Sequence, residues 1–207
     1  RSPSHIANFI YGRAFKKKNI ISDEANYERF PDIFEKGKRA SQGAFVKSFQ
    51  TGVFFKVTHK DWHSLYPSIM IAFNLDPETV KLVEIKPWTG EYRFEDHDSY
   101  AIMEVPDKVE DQFARQVVVR IDLSFDSTTR IKLQEFLDKR DEIKKQLGKK
   151  DDPKLEAQQN ALKVIANAIY GYHLMRHARF GNVLVGILTA AIGRYIIQHS
   201  IEGRNVI

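Results

Sequence analysis

Residues Asp61–Met70 read DWHSLYPSIM, ten positions that bring a carboxylate, a helix start and an aromatic ring into one short stretch. Ser64 suits an N-cap and Pro67 falls in the first turn, where its missing N–H costs nothing, so the pattern predicts a helix over Ser64–Phe73. Just upstream, VFFKVTHKD (53–61) is rich in β-branched and aromatic residues and predicts a strand ending at Asp61. A carboxylate between a strand end and a helix start lets Mg²⁺ sit on Asp61 and a backbone carbonyl while the first helical N–H groups face phosphates. A lone aspartate there serves equally well as a turn or capping residue. Tyr66 lies near the start of the same helix, and its ring placed under a nucleotide sugar would collide with a 2′-hydroxyl. The plainer role is a core tyrosine with its hydroxyl satisfied.

A second stretch, Gln159–Tyr172, reads QNALKVIANAIYGY. At about 100° per residue, Gln159, Lys163, Asn167 and Tyr170 fall within an arc of roughly 80°. They share one face, while Leu162, Val164, Ile165, Ala168 and Ile169 lie away from it and supply an apolar side to pack. On the preceding helix Arg140 and Lys144 are four apart and project together. Arg140, Lys144 and Lys163 are candidates to neutralise a triphosphate and its released pyrophosphate, arginine offering a planar fork and lysine a point charge. A solvated face explains Arg140 or Lys144 singly just as well, since DKRDEIKK is full of charge. A solvated face has no need of Tyr170 and Gly171 at the end of the row, and Gly171 permits close approach of a base pair or template strand.

Outward from these stretches the pattern predicts an α+β fold. HIANFIYGRAFKKKNI (5–20) reads as a helical opening, and Gly43 and Gly52 bracket an extended segment, Phe45–Gln50. VKLVEI, YAIMEV and VVVRIDL, separated by WTGE and EDHD, read as a small meander of strands between residues 80 and 123. Thr128–Leu147 and Pro153–Tyr172 form a helical hairpin around GKKDD, and Val183–Ser200 is a helix apolar nearly all round, which belongs inside the domain. His59, His63 and His97 lack ligand spacing and suit surface or capping roles. His173 and His177 could share a helix face near a nucleic-acid backbone; no metal is assigned to any of the five.

Bulk composition sets only broad limits. The chain has 207 residues, 43% of them hydrophobic, enough for a sizeable core, and its 32 basic against 27 acidic residues tolerate a polyanionic partner without demanding one. No cysteine is present, so disulfides and thiolate zinc sites are excluded and a metal must sit on oxygen or imidazole. No apolar run reaches the roughly 18 residues of a membrane span, and the N-terminus lacks a signal peptide's apolar stretch. A cytoplasmic location, nuclear in a eukaryote, with no membrane partner is the expectation. Both ends read as cuts through a larger protein.

The two stretches together resemble the family B DNA polymerases. Asp61 with Ser64-Leu65-Tyr66-Pro67-Ser68-Ile69 is similar to that family's motif A, and Lys163, Asn167, Tyr170 and Gly171 are similar in spacing to its motif B. Gln42-Gly43-Ala44 resembles the template-contacting region upstream, with glutamine in place of the usual tyrosine. Asn74–Thr79 resembles the segment after the motif A helix, Arg140–Lys145 the first fingers helix, and Leu188–Arg194 the palm helix after motif B. The likeness is weakest between Val80 and Asp126.

The resemblance implies a partial palm, an antiparallel sheet with packed helices, carrying an antiparallel two-helix fingers hairpin. It divides the chain into a lead-in at 1–32, palm at 33–126, fingers at 127–175 and the second part of the palm at 176–207, cut before motif C. Asp61 and Lys163 would be the catalytic residues, and Asp61, with the Trp62 carbonyl, a ligand of Mg²⁺; Trp62 replaces the usual phenylalanine. The Ser64 and Leu65 amides, Arg140, Lys144, Lys163 and Asn167 would hold the triphosphate, and Tyr66 would be the sugar gate. Tyr170 and Gly171 would line the base pair and Gly43 would contact DNA; Ala168 replaces the usual serine. Implied partners are primer-template DNA, deoxynucleoside triphosphates and a second polypeptide carrying motif C and the thumb. Two-metal phosphoryl transfer needs carboxylates on both sides of the metal pair, and Asp61 supplies one side only, so the chain is expected to be inactive alone. The competing readings are a catalytically inactive polymerase-like DNA-binding module and, further off, a helical protein-interaction arm.

Overall fold

The computed structural model describes residues 2–20, 25–31, 33, 45, 47, 50–58, 61–109, 112–148 and 151–201, with the side chains of 108, 109 and 112–114 outside the description. In chain order its elements are α1 (Pro3–Lys17), α2 (Asn26–Arg29), α3 (Leu65–Ala72), β1 (Val80–Pro87), β2 (Arg93–Asp96), β3 (Tyr100–Val109), β4 (Gln112–Asp122), α4 (Thr128–Leu147), α5 (Pro153–His173) and α6 (Val183–Ile201). This is the expected mixed α+β class. The Gly43 region, most of Phe45–Gln50 and His59 lie outside the described residues.

Helix boundaries follow their capping residues. Ser127 Oγ accepts from the Arg130 N–H at the start of α4, and Asp152 accepts from Lys154 and Leu155 at the start of α5, with Pro153 at the first position. The two helices pack on each other, and Arg140 reaches Gln159 at near-equal distance from the connection, so the chain doubles back as a hairpin. Apolar on nearly every side, α6 is buried continuously from Val183 to Arg194 against α3, α5, β1 and β3. Its length and apolar content would also suit a membrane crossing, contrary to the expectation that no run qualifies; here protein covers most of it.

The sheet corrects the expected meander in two ways. Its order is β1-β4-β3-β2, all antiparallel, with β1 on the outer side of β4. A fourth strand, β2, occupies part of the acidic EDHD stretch read as a turn. Pairing of Arg93–Asp96 with Ala101–Glu104, and Phe94 packed 5.3 Å from the Tyr195 ring on α6, outweigh the poor strand propensity of its acidic residues. Met103, Val105, Val117, Val119 and Ile121 face the core.

No strand forms over 53–58, where Val53 and Phe55 are 85% and 87% exposed, so the strand expected to lead into Asp61 is absent from the described residues. β-branched residues favour extended backbone but cannot supply a ladder, and no described strand lies beside them.

Buried polar side chains aim α4 at α3. Asn74, at φ 53° just past the α3 terminus, donates to the Asp122 and Phe125 carbonyls and accepts from the Ser127 N–H. Asp76 accepts from the Thr129 N–H at 2.8 Å and hydroxyl at 2.6 Å, and from the Glu78 N–H at 2.8 Å. A carboxylate at the first turn of α4 satisfies its free donors and opposes its dipole.

The same network reaches His173, which is fully buried rather than near a nucleic-acid backbone, and His177 lies beyond the end of α5, so the two share no helix face. Because His173 Nδ1 accepts from the Asn182 N–H, the neutral ring carries its proton on Nε2 and donates to Tyr11; Tyr11 donates to Thr129, and Thr129 to Asp76. Burial, with a smaller push from Arg29, lowers the His173 pKa to about 3 from 6.5. The unfolded chain therefore binds the proton more readily, and stability present above pH 6.5 falls as pH drops toward 3. From pH 8 to pH 5 the expected loss through this group is about 2 kcal/mol. Urea unfolding of wild type and His173→Gln at both pH values isolates it: the slope between them should shrink in the variant, and equal slopes would refute the assignment.

Candidate functional site

Ser64 occupies the N-cap position of α3 but does not cap with its side chain, contrary to the sequence reading. Its backbone is left-handed at φ 51°, ψ 43°, and its Oγ accepts from Arg140 Nη1 at 3.0 Å. Arg140 is 8% exposed; its Nε donates to Gln159 Oε1 at 3.2 Å, and Nη1 also reaches His63 Nε2 at 3.3 Å. Lys144 Nζ approaches the same imidazole nitrogen at 2.8 Å. Two cationic donors converge on Nε2, so that nitrogen accepts.

All of these acceptors are neutral. Neither Arg140 nor Lys144 has a carboxylate partner among the described residues. A buried guanidinium held only by neutral acceptors is a favourable place for an anion, because the desolvation cost is already met and an anion restores the missing Coulomb term. His63 was expected in a surface or capping role; it is exposed, and it also takes Arg140 and Lys144 as partners. A single histidine carries no such signal when its partners lie 77 and 81 positions away; its place between Asp61 and Ser64, facing the expected cation pair, is the only sequence feature that pointed here.

A second junction joins α3 to α5 directly. The Tyr66 and Tyr170 rings lie 4.5 Å apart, tilted by 49°. Burial raises the Tyr66 pKa, with Arg194 pulling the other way, so its hydroxyl stays protonated at neutral pH. The stripe on α5 is thus tied to α3 at both ends, through Gln159 and Arg140 at one and Tyr170 at the other. Gln159 and Tyr170 are eleven positions apart, about 16 Å of helix.

Lys163 and Asn167 lie between these ties on the same face; both are exposed and make no hydrogen bond or ion pair with another described residue. Asp61 and Trp62 are likewise exposed, and among the described residues no hydrogen bond or ion pair joins them to Lys163 or Asn167. Leu65 is half-buried at the first position of α3, where its N–H has no intrahelical partner. A Cβ at Gly171 would meet nothing within 4 Å, so the helix surface is open there. The apolar side of α5 is narrower than expected, since Val164 is 51% exposed and Ala166, Ile169, Tyr172 and His173 carry the burial.

Among the described residues no group of three or more histidine, aspartate or glutamate side chains could enclose a metal ion. Asp61 and the Trp62 carbonyl are two adjacent oxygen donors on exposed backbone. That set fits Mg²⁺, which takes one or two carboxylates and completes its octahedron with phosphate oxygens and water, and does not fit a closed all-protein cage.

The family model "DNA polymerase family B" matches residues 5–204. The chain belongs to the family B DNA polymerases. It is 27% identical over 179 residues to DNA polymerase 1 of Pyrococcus abyssi, covering 83% of this chain and 20% of that one. Similarity to a DNA polymerase of Archaeoglobus fulgidus is 32% over 168 residues, 77% of this chain and 18% of the relative. A solved family B DNA polymerase from Pyrobaculum calidifontis aligns with a TM-score of 0.48 at 26% identity, covering 67% of this chain and 16% of that one. The chain therefore spans about a fifth of the length of the curated relatives it matches.

Proposed function

We propose that this chain is the nucleotide-holding part of a DNA-directed DNA polymerase, with palm at 33–126 and 176–207 and fingers at 127–175. The observation that carries the reading is Arg140, a buried cation without a carboxylate partner among the described residues, bonded to both Ser64 on the α3 side and Gln159 on α5. In the reaction, a primer 3′-hydroxyl attacks the α-phosphate of a deoxynucleoside triphosphate, a new phosphodiester bond forms, and the α–β bond breaks to release pyrophosphate. Arg140, Lys144 and Lys163 would bind the β- and γ-phosphates and hold the leaving pyrophosphate, Asn167 and the Ser64 and Leu65 amides would orient it, and Tyr66 would exclude a 2′-hydroxyl. Tyr170 and Gly171 would face the base pair, and Gly43 the template. Asp61 and the Trp62 carbonyl would hold Mg²⁺, which when bound neutralises phosphate charge and activates the attacking hydroxyl.

Saturable binding of dATP with Mg²⁺, competed by tripolyphosphate, tests the reading; absence of saturable binding removes it. With Asp61 on one side only of the metal pair, no primer extension is expected from the 207-residue chain with Mg²⁺ and four deoxynucleotides. Robust incorporation that Asp61→Ala abolishes would contradict this.

A further inference from the structure

We infer that Gly193 on α6 is a positioning residue that sets how far the Tyr66 ring projects into the nucleotide cleft, and so sets discrimination at the sugar 2′ position. The inference rests on the reading of Tyr66 as the sugar gate. A Cβ built at Gly193 would lie 3.0 Å from Tyr66 Cε1, 3.6 Å from Cδ1 and 3.6 Å from Ile69 Cδ1. The ring therefore lies directly on the α6 backbone, at a separation tighter than ordinary van der Waals contact once any side chain is added.

Glycine is an unfavourable choice inside a helix, and Ala190 and Ala191 nearby show that α6 uses alanine where a methyl fits. The Tyr66 ring also meets the Tyr170 ring, with centroids 4.5 Å apart. A Cβ at 193 leaves the Tyr66 ring no room at its present distance from α6, and we take the ring's displacement to be toward the exposed Lys163 and Asn167. A side chain at 193 thus narrows the space for a sugar without touching nucleotide.

The test compares equilibrium dissociation constants for ATP and dATP, each with Mg²⁺, by calorimetry on wild type, Gly193→Ala, Tyr66→Ala and the double variant. Gly193→Ala should raise the ATP-to-dATP ratio about threefold or more, and Tyr66→Ala should bring it to about one. In the double variant the ratio should stay near one, because the ring through which Gly193 acts is gone. A Gly193→Ala ratio at or below wild type, or a raised ratio in the double variant, overturns the inference and leaves the reading of Tyr66 standing. Failure of Tyr66→Ala to lower the ratio, or a wild-type ratio of one, removes that reading and the inference with it. Should Gly193→Ala fail to fold, the double variant must fold again, since Tyr66 is the group it meets at 3.0 Å; an unfolded double variant counts against the inference.

Discussion

Arg140→Ala should weaken Mg²⁺-dATP binding by about 100-fold, because hydrogen bonds between charged groups contribute roughly 1.5–3 kcal/mol each and this guanidinium is already desolvated. Its three acceptors, Gln159, Ser64 and His63, are neutral, so no ion pair among the described residues competes with the phosphate. Arg140→Lys keeps the charge and loses the fork, and an intermediate loss of about tenfold is expected. Lys144→Ala should also cost about tenfold, since Lys144 is only partly buried and offers a point charge. Calorimetric titration with dATP and with inorganic tripolyphosphate reads all three. Arg140→Ala binding within threefold of wild type would mean that the anion is held elsewhere.

The largest effect on stability is expected at Asp76, well away from the cations. Asp76→Ala removes the acceptor for two donors of Thr129 and one of Glu78, all in the interior, at a cost of about 3–5 kcal/mol. Asp76→Asn preserves shape and one acceptor oxygen and should cost less. Burial raises the Asp76 pKa more than its hydrogen bonds lower it, so its carboxylate form is held at a cost. The sign is opposite to that of His173: stability linked to Asp76 is full below the unfolded value of 3.8 and is lost as pH rises through the higher folded value. Chemical unfolding of both variants measures the difference, and a loss under 1 kcal/mol for Asp76→Ala would show that α4 is positioned by other contacts. Because Asp76 fixes the first turn of α4, Asp76→Ala should also weaken dATP binding despite touching no nucleotide.

Legibility in the sequence follows how local each determinant is. The hairpin helices and α6 could be read because their caps, Ser127 and Asp152 with Pro153, and their 3.6-residue patterns lie within the elements themselves. VFFKV misled because extended propensity is local while a ladder needs a partner strand. The opposite error concealed β2, whose short acidic run is held by β3 and by Tyr195 a hundred residues away. At the site, the polar stripe of α5 and the Arg140/Lys144 pair could be read from periodicity. His63 and the Gly193 contact could not, because each depends on how α3, α4 and α6 meet.

The central claim is that the start of α3, the Arg140/Lys144 pair and the α5 stripe serve one nucleotide. Lysine acylation followed by mass spectrometry, over a dATP titration with Mg²⁺, tests it at two positions on different helices. Lys144 and Lys163 should be protected together, with half-protection at the same dATP concentration, and Arg140→Ala should shift both midpoints upward equally. Protection of one without the other, or of neither at saturating dATP, would contradict the account.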